Sequence, residues 1–306
     1  MNVWQRWQQS QARRAGRRQD KREERGFTQQ WFLLAGACPE SARVAPQPQS
    51  LTPLYPDEPA FWADPFVWTR DGQRWIFFED YPFSTRRGRI SAIPVDAGGQ
   101  PTGPMVPVLE EPYHLSYPFL FEHDGELYMM PEKTALNRVD VYRCVEFPHR
   151  WEQVVTLIDG IKMADATLFQ HEGRWWLFGA AKQGRARINE SLFAFYADSP
   201  LSTNWTAHAA NPLVRDFARG RQAGRIFRDA EGRLVRPSQD CVRRYGHGLQ
   251  LSRIEELTPT TYREQGFLHL SSADVPGWRG LHHLDWQAGL MVMDAQRLLP
   301  TAELPT

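Results

Sequence analysis

The stretch Asp64-Pro65-Phe66-Val67-Trp68-Thr69-Arg70-Asp71-Gly72-Gln73-Arg74-Trp75-Ile76-Phe77-Phe78 reads as strand, turn, strand. Asp-Gly between two apolar runs is a strong hairpin signal, because glycine tolerates the positive φ of a tight turn. The pattern returns along the chain. Tyr117-Pro118-Phe119-Leu120-Phe121 leads through Asp124-Gly125 to Leu127-Tyr128-Met129-Met130. Asp165-Ala166-Thr167-Leu168-Phe169 leads through Glu172-Gly173 to Trp175-Trp176-Leu177-Phe178. Gly224-Arg225-Ile226-Phe227 leads through Glu231-Gly232 to Leu234-Val235. A weaker fifth unit runs from His282-His283-Leu284-Asp285-Trp286 through Ala288-Gly289 to Leu290-Met291-Val292.

In the first four units the acidic turn residue stands seven positions after the opening residue. The units open at 64, 117, 165, 224 and about 282, so they recur every 48 to 59 residues. A repeat of about that length, built from hairpins, suits the four-stranded blade of a β-propeller. The segments Arg89–Val95, Asp140–Cys144, Ser191–Tyr196 and Gly248–Ile254 supply outer strands, and Trp151 and Trp205 stand at similar points as aromatics between blades. The expected fold is therefore all-β, a five-bladed β-propeller with its blades counted over residues 60–300. A sandwich of about a dozen strands leaves the recurring turn unexplained.

The chain has 306 residues, 42% hydrophobic and 12% aromatic, with 36 basic and 36 acidic side chains. Such a composition excludes a disordered polar chain, and zero net charge excludes a polyanion binder acting by bulk charge, so no nucleic-acid partner is expected. No apolar run approaches the roughly 18 residues of a membrane span, and the first residues lack the apolar core of a secretory signal. Cys38, Cys144 and Cys241 lie far apart and form no metal-type pair, which suits a reducing, cytoplasmic setting.

Residues 1–29 read as a short charged extension, helical or disordered, residues 30–300 as the propeller and 301–306 as a tail. Residues 1–25 carry eight Arg or Lys against three acids, a net +5. An arm of this kind can anchor to an anionic surface at roughly 1 kcal/mol per basic residue. The lack of a clean apolar face favours an ordinary polar extension, with at most peripheral membrane contact at the inner face.

Several motifs resemble a known family. Trp62-Ala63-Asp64-Pro65-Phe66, Ser116-Tyr117-Pro118-Phe119-Leu120, Met130-Pro131-Glu132, Asp165-Ala166-Thr167-Leu168-Phe169 and Arg236-Pro237-Ser238-Gln239-Asp240 are similar, in order, to the N-terminal domain family of glucosamine inositolphosphorylceramide transferase and its stand-alone bacterial relatives. The likeness covers roughly residues 30–297. It implies a five-bladed propeller and a role with sugars or glycoconjugates; the plant enzyme carries its transferase chemistry in another domain. More distantly, Ala-Asp-Pro opening a blade is similar to arabinanase- and xylosidase-like glycosidases. Those place acids at the openings of blades one, two and three. Here Asp64 keeps the first position, Tyr117 replaces the second, and Asp165 stands in an Asp-Ala-Thr motif unlike the glycosidase pattern.

In a propeller the first strand of each blade lines the channel, so opening residues converge at one end. That ring comprises Asp64, Tyr117, Asp165, Gly224, His282 and His283. Residues leaving the second strand form a companion set: Glu79 with Asp80, Glu132, and Gln239 with Asp240. Paired carboxylates suit glycosyl transfer, one protonated to serve the leaving oxygen and one ionised to activate a nucleophile or steady positive charge. Asp64, Glu132 and Asp165 are thus the candidate catalytic residues. Glu79, Tyr117, Gln239, Asp240 and His282 are candidate substrate contacts. His247 joins them from the glycine-flanked turn Tyr245-Gly246-His247-Gly248, which admits a ligand closely. Arg221 and Arg225 flank the opening of the fourth unit and suit a phosphate or carboxylate. His282, His283 and Asp285 alternate along one strand and so do not predict a metal site; no cofactor is expected.

No phosphate-binding P-loop, dinucleotide fingerprint, esterase elbow or HExxH motif occurs. Three readings result. One is a glycan-active propeller in glycoconjugate biosynthesis, transferring or modifying sugars, with hydrolysis of the arabinanase type as a variant. The second is a non-catalytic propeller that binds a sugar, nucleotide-sugar or glycolipid and presents it to a partner transferase. The third is a protein-interaction scaffold.

Overall fold

The computed structural model describes residues 3–301. After the helix Val3–Glu23, the chain forms five antiparallel sheets in the order of a five-bladed β-propeller. The first blade comprises Ala60–Arg70, Gln73–Pro82, Arg89–Val95 and Val106–Leu109. The second comprises Ser116–His123, Glu126–Glu132, Arg138–Glu146 and Arg150–Asp159. The third is built on Met163–His171, Arg174–Ala181 and Ser191–Ala197, with two short edge pieces. The fourth is built on Leu234–Asp240, Gly248–Leu257 and Tyr262–Ser271.

The hairpins follow from the turn residues. Asp71-Gly72, Asp124-Gly125, Glu172-Gly173 and Ala288-Gly289 all take positive φ at both central positions. That is the twist-matched hairpin turn, and it needs glycine second. The inner strand of the fourth unit is not one continuous strand. It is broken into Arg221–Gln222 and Phe227–Arg228 around Gly224. A Cβ at Gly224 would lie 1.9 Å from the carbonyl oxygen of Leu284, so the neighbouring blade's backbone demands glycine there.

Burial between blades matches the apolar pattern. Phe66, Phe77, Phe119, Leu120, Met129 and Leu177 join one core that runs through the first three blades. Trp151 is buried against Phe77, and its indole N–H donates to Pro148 O at 2.8 Å. Trp205 repeats that hydrogen bond to Ser202 O at 2.8 Å but is only half-buried.

The fifth blade departs from a count made over 60–300. Only Leu284–Gln287 and Leu290–Pro300 come from the end of the chain. The third strand is Phe27–Ala37, paired along its whole length from Phe27↔Pro300 to Ala37↔Leu290, and Thr52–Leu54 forms the edge. Sequence before the first repeat therefore closes the ring, which leaves no open blade to aggregate. The strand begins at Phe27, inside the stretch read as extension. The tail beyond Thr301 lies outside the described residues.

Candidate functional site

The opening residues share a conformation. Asp64, Tyr117 and Asp165 have φ of 53°, 46° and 53°. Each sits in a bulge, where pairing slips between Ala63 and Phe66, Ser116 and Phe119, or Ala164 and Thr167. A bulge puts two residues opposite one and re-aims a side chain. Asp tolerates this left-handed region better than most residues; Tyr117 is held in it by its surroundings. Opposite these bulges, Glu79 pairs with Ala63 and Glu132 with Ser116. Asp64, Glu79 and Glu132 thereby reach one pocket of about 240 Å³, walled by Trp31, Phe61, His114, Ser116, Arg221, Tyr245 and His282.

Asp165 lies beneath this pocket, fully buried. Arg221 Nε and Nη2 donate to its two carboxylate oxygens at 2.6 and 3.2 Å. Gln239 donates to the same carboxylate at 3.3 Å. The Asp165 backbone N–H donates to Glu132 Oε2 at 3.0 Å, and Arg221 Nη2 stands 3.9 Å from that oxygen. Burial works against the Arg221 charge, but Asp165, Tyr245 and Glu132 outweigh it and raise its pKa. Burial also drives Glu132 well above the usual carboxylate range, and the Asp165 charge adds to the effect.

A second network supports Asp64. Asp294 Oδ2 accepts from the Asp64 backbone N–H at 3.0 Å, and its Oδ1 accepts from the His282 and His283 N–H groups at 3.0 and 2.9 Å. His282 Nδ1 lies 2.7 Å from Asp294 Oδ2, although the approach is too bent for a well-formed hydrogen bond. His282 Nε2 lies 3.6 Å from Asp64 Oδ1. Burial alone would neutralise His282, but Asp294 and then Asp64 raise its pKa. Burial favours a proton on Asp294 too, but His282 overrides it and holds the carboxylate below its usual range. Asp64 is pushed up to about 7, chiefly by burial, with His282 opposing and Asp165 reinforcing the shift. Glu79 is raised well above its range by burial and then by Asp64 and Glu132. Its Oε1 sits 3.2 Å from His114 Nε2.

Asp64, His282 and Asp294 bring one donor atom each within 4.8 Å of one another. Both oxygens of Asp294 already accept from backbone N–H groups, so the trio reads as a cluster of coupled charges that props Asp64.

The period-two alternation of strands separates neighbours that sequence reading had grouped. Glu79 faces the pocket, whereas Asp80 turns away to Trp62, Arg89 and Ser91. Gln239 reaches Asp165, whereas Asp240 turns to His269. His282 lines the pocket, stacked on Trp31 with ring centres 4.0 Å apart. His283 lies deeper, edge-on to Phe66 and Tyr117, and burial pulls its pKa down to about 4.

Other expected contacts fall outside the pocket lining. Tyr117 is buried below it, with its hydroxyl 2.8 Å from Thr167 Oγ1 and accepting from the Gly224 N–H at 3.0 Å. Arg225 is an inter-blade clamp: it binds Asp285 at 3.0 Å and Leu120 O at 2.8 Å. His247 packs against Ser272 on the far side of its turn. Its neighbour Tyr245 is the one that reaches the pocket, beneath Arg221 with the guanidinium carbon 4.9 Å from the ring centre. Trp31, His114, Tyr245 and Asp294 were not anticipated. Asp294 had a signal, as the lone acid in the apolar run Leu290-Met291-Val292-Met293-Asp294-Ala295, since such an acid must be paired. A larger groove of about 790 Å³ runs between Leu54–Ala60 and Pro101–Met105. Prolines and apolar side chains line much of it, and its buried acid, Asp80, is already bound to Arg89.

Residues 51–292 match the family model described as glucosamine inositolphosphorylceramide transferase 1, N-terminal. The chain belongs to this family. Among curated relatives it is 36% identical over 254 residues to glucosamine inositolphosphorylceramide transferase 1 of Oryza sativa subsp. japonica, covering 78% of this chain and 33% of that protein. It is 35% identical over 233 residues to the Arabidopsis thaliana protein of the same name, covering 74% of this chain and 30% of that one. The chain thus spans about a third of the length of these relatives. Among solved structures, the catalytic domain of a Coprinopsis cinerea GH62 α-L-arabinofuranosidase superposes with a TM-score of 0.55 at 9% identity, over 76% of this chain and 90% of that one. An exo-β-1,3-galactanase of Clostridium thermocellum gives 0.50 at 11% identity, over 67% and 49%. At such identities the likeness is one of fold.

Proposed function

We propose that this propeller acts on glycans in glycoconjugate assembly, by glycosyl transfer or glycan modification, and seats a single sugar residue among Asp64, Glu79 and Glu132. The observation that carries the reading is the convergence of three carboxyls, each with its pKa raised chiefly by burial, in a pocket with aromatic walls. A protonated carboxyl both donates to and accepts from sugar hydroxyls. Trp31, Phe61 and Tyr245 offer rings to the apolar face of a sugar. With its proton held to about 7, Asp64 is the general acid that serves a leaving oxygen. Glu132, 3.9 Å from Arg221, is the second carboxyl. Asp165 is a positioning residue: it fixes Arg221 and, through its N–H, Glu132. The relatives' name supports a glycolipid ligand, with a sugar or nucleotide-sugar as the other candidates. The three cysteines are free and buried, which accords with a reducing compartment, and the cytoplasm is the location we propose.

One observation favours a second reading, a binding module that presents its ligand to a partner transferase. The acid beneath the pocket, Asp165, is held through both carboxylate oxygens by Arg221, so it offers no free carboxylate to a substrate. Arabinanase-type hydrolysis is the least supported, because Tyr117 and the paired Asp165 replace two of its three acids.

The test is a screen of glycans, glycolipid headgroups and nucleotide-sugars for binding and turnover, on wild type and Asp64→Asn. Turnover lost with binding retained supports catalysis. Binding without turnover in wild type selects the presenting module. Equal binding and equal turnover by both proteins removes Asp64 from the site.

A further inference from the structure

The helix Val3–Glu23 lies against the propeller by one face. Gln9, Arg13, Gly16, Asp20 and Glu23, spaced four and three apart, all point inward. Gln9 donates to Asp216 at 2.6 Å, and Arg13 donates to Cys241 O with its guanidinium stacked 3.8 Å from the Phe217 ring centre. Gly16 is required: a Cβ there would stand 2.5 Å from the Arg243 carbonyl oxygen. Asp20 binds Arg244 and Arg279 at 2.9 and 3.2 Å, and Arg279 also takes Glu23 at 2.9 Å and Glu24 at 3.0 Å. All three acids of the arm are therefore consumed by the body of the protein.

The opposite face carries the reverse. Arg14, Arg18, Lys21 and Arg22 are exposed there, as is Arg25 in the turn just past the helix, and none is paired with an acid among the described residues. Trp4 and Trp7, one turn apart at the start of the helix, are 64% and 58% exposed. Tryptophan prefers the headgroup layer of a bilayer, and clustered cations are attracted by anionic lipid. Indoles at one end of a face whose other end is cationic fit a lipid surface better than a folded acidic partner or a nucleic acid, where charge alone would suffice. The segment that receives the helix, Arg243-Arg244-Tyr245, also gives the pocket its Tyr245 wall. A membrane held by the helix would lie beside the pocket rim.

We propose that the outward face of this helix, Trp4 and Trp7 with Arg14, Arg18, Lys21 and Arg22, together with Arg25 just past its end, is a docking surface for an anionic membrane. The test is co-sedimentation of the full chain with vesicles of phosphatidylcholine alone or mixed equally with phosphatidylserine. Wild type binds the mixed vesicles and releases them as salt is raised. The triple variant Arg14→Glu, Arg18→Glu, Lys21→Glu binds at least about a hundredfold more weakly, since losing three cations alone is worth roughly 1 kcal/mol each. The double variant Trp4→Ala, Trp7→Ala binds about tenfold more weakly, and both variants keep the wild-type melting temperature. If the triple variant melts early, Arg14→Gln, Arg18→Gln, Lys21→Gln replaces it with the same expected loss. Wild type ignoring the mixed vesicles, variants binding as tightly as wild type, or binding to an RNA duplex that exceeds vesicle binding and is unmoved by the Trp substitutions would each overturn the proposal.

Discussion

Arg221 holds both carboxylate oxygens of Asp165, at 2.6 and 3.2 Å, from a strand of the next blade. The pair joins the third and fourth blades directly beneath the pocket. Above it, burial is the largest cause raising the pKa of Asp64, Glu79 and Glu132.

Removing the cation should therefore be costly. Arg221→Met leaves a buried carboxylate without its partner, and the expected loss is about 3–5 kcal/mol in urea denaturation. Adding Asp165→Asn should recover much of that loss. Additive losses in the double variant would show that the pair is not coupled.

The stability of the protein should carry the signature of Asp64. Its carboxyl ordinarily ionises near 3.8 but holds its proton to about 7 in the folded chain. Between those values the unfolded chain binds fewer protons, so stability falls as pH rises through that window. Asp64→Asn should flatten the slope and exceed wild-type stability at pH 8 by on the order of 2–4 kcal/mol. Parallel pH profiles for the two proteins would contradict the assignment.

The Tyr117 hydroxyl is structural: it accepts from the Gly224 N–H at 3.0 Å and meets Thr167 Oγ1 at 2.8 Å. Tyr117→Phe orphans the buried N–H of Gly224 and should cost about 1–3 kcal/mol in thermal or chemical unfolding. Sugar binding should be unchanged, as measured by calorimetry.

The closing strand is as integral as any repeat. Leu33 is fully buried in Phe27–Ala37, and Leu33→Ala should cost about 2–5 kcal/mol. A chain beginning at Ala60 keeps every repeat, yet it should fail to unfold cooperatively and should aggregate.

The repeat was legible because hairpin turns need glycine at fixed positions, and Asp71-Gly72, Asp124-Gly125 and Glu172-Gly173 mark the blades. The opening acids and Glu132 were legible for the same reason, as each sits at a constant offset from a turn. Closure was not legible, because Phe27–Ala37 belongs to no repeat and finds its partner only at the other end of the chain. Tyr245 and Trp31 were hidden because pocket walls come from loops and borrowed strands, which carry no periodicity. Arg225 and Arg221 look alike four residues apart, and only the break at Gly224 sends one to the clamp with Asp285 and the other to the pocket.

The most direct test of the sugar site is a crystal of the protein soaked with whichever glycan or nucleotide-sugar binds in solution. The account predicts a sugar ring in the pocket walled by Trp31, Phe61 and Tyr245, with hydroxyls bonded to Asp64 and Glu132. Sugar density confined to the Leu54–Met105 groove, with that pocket empty, would contradict it.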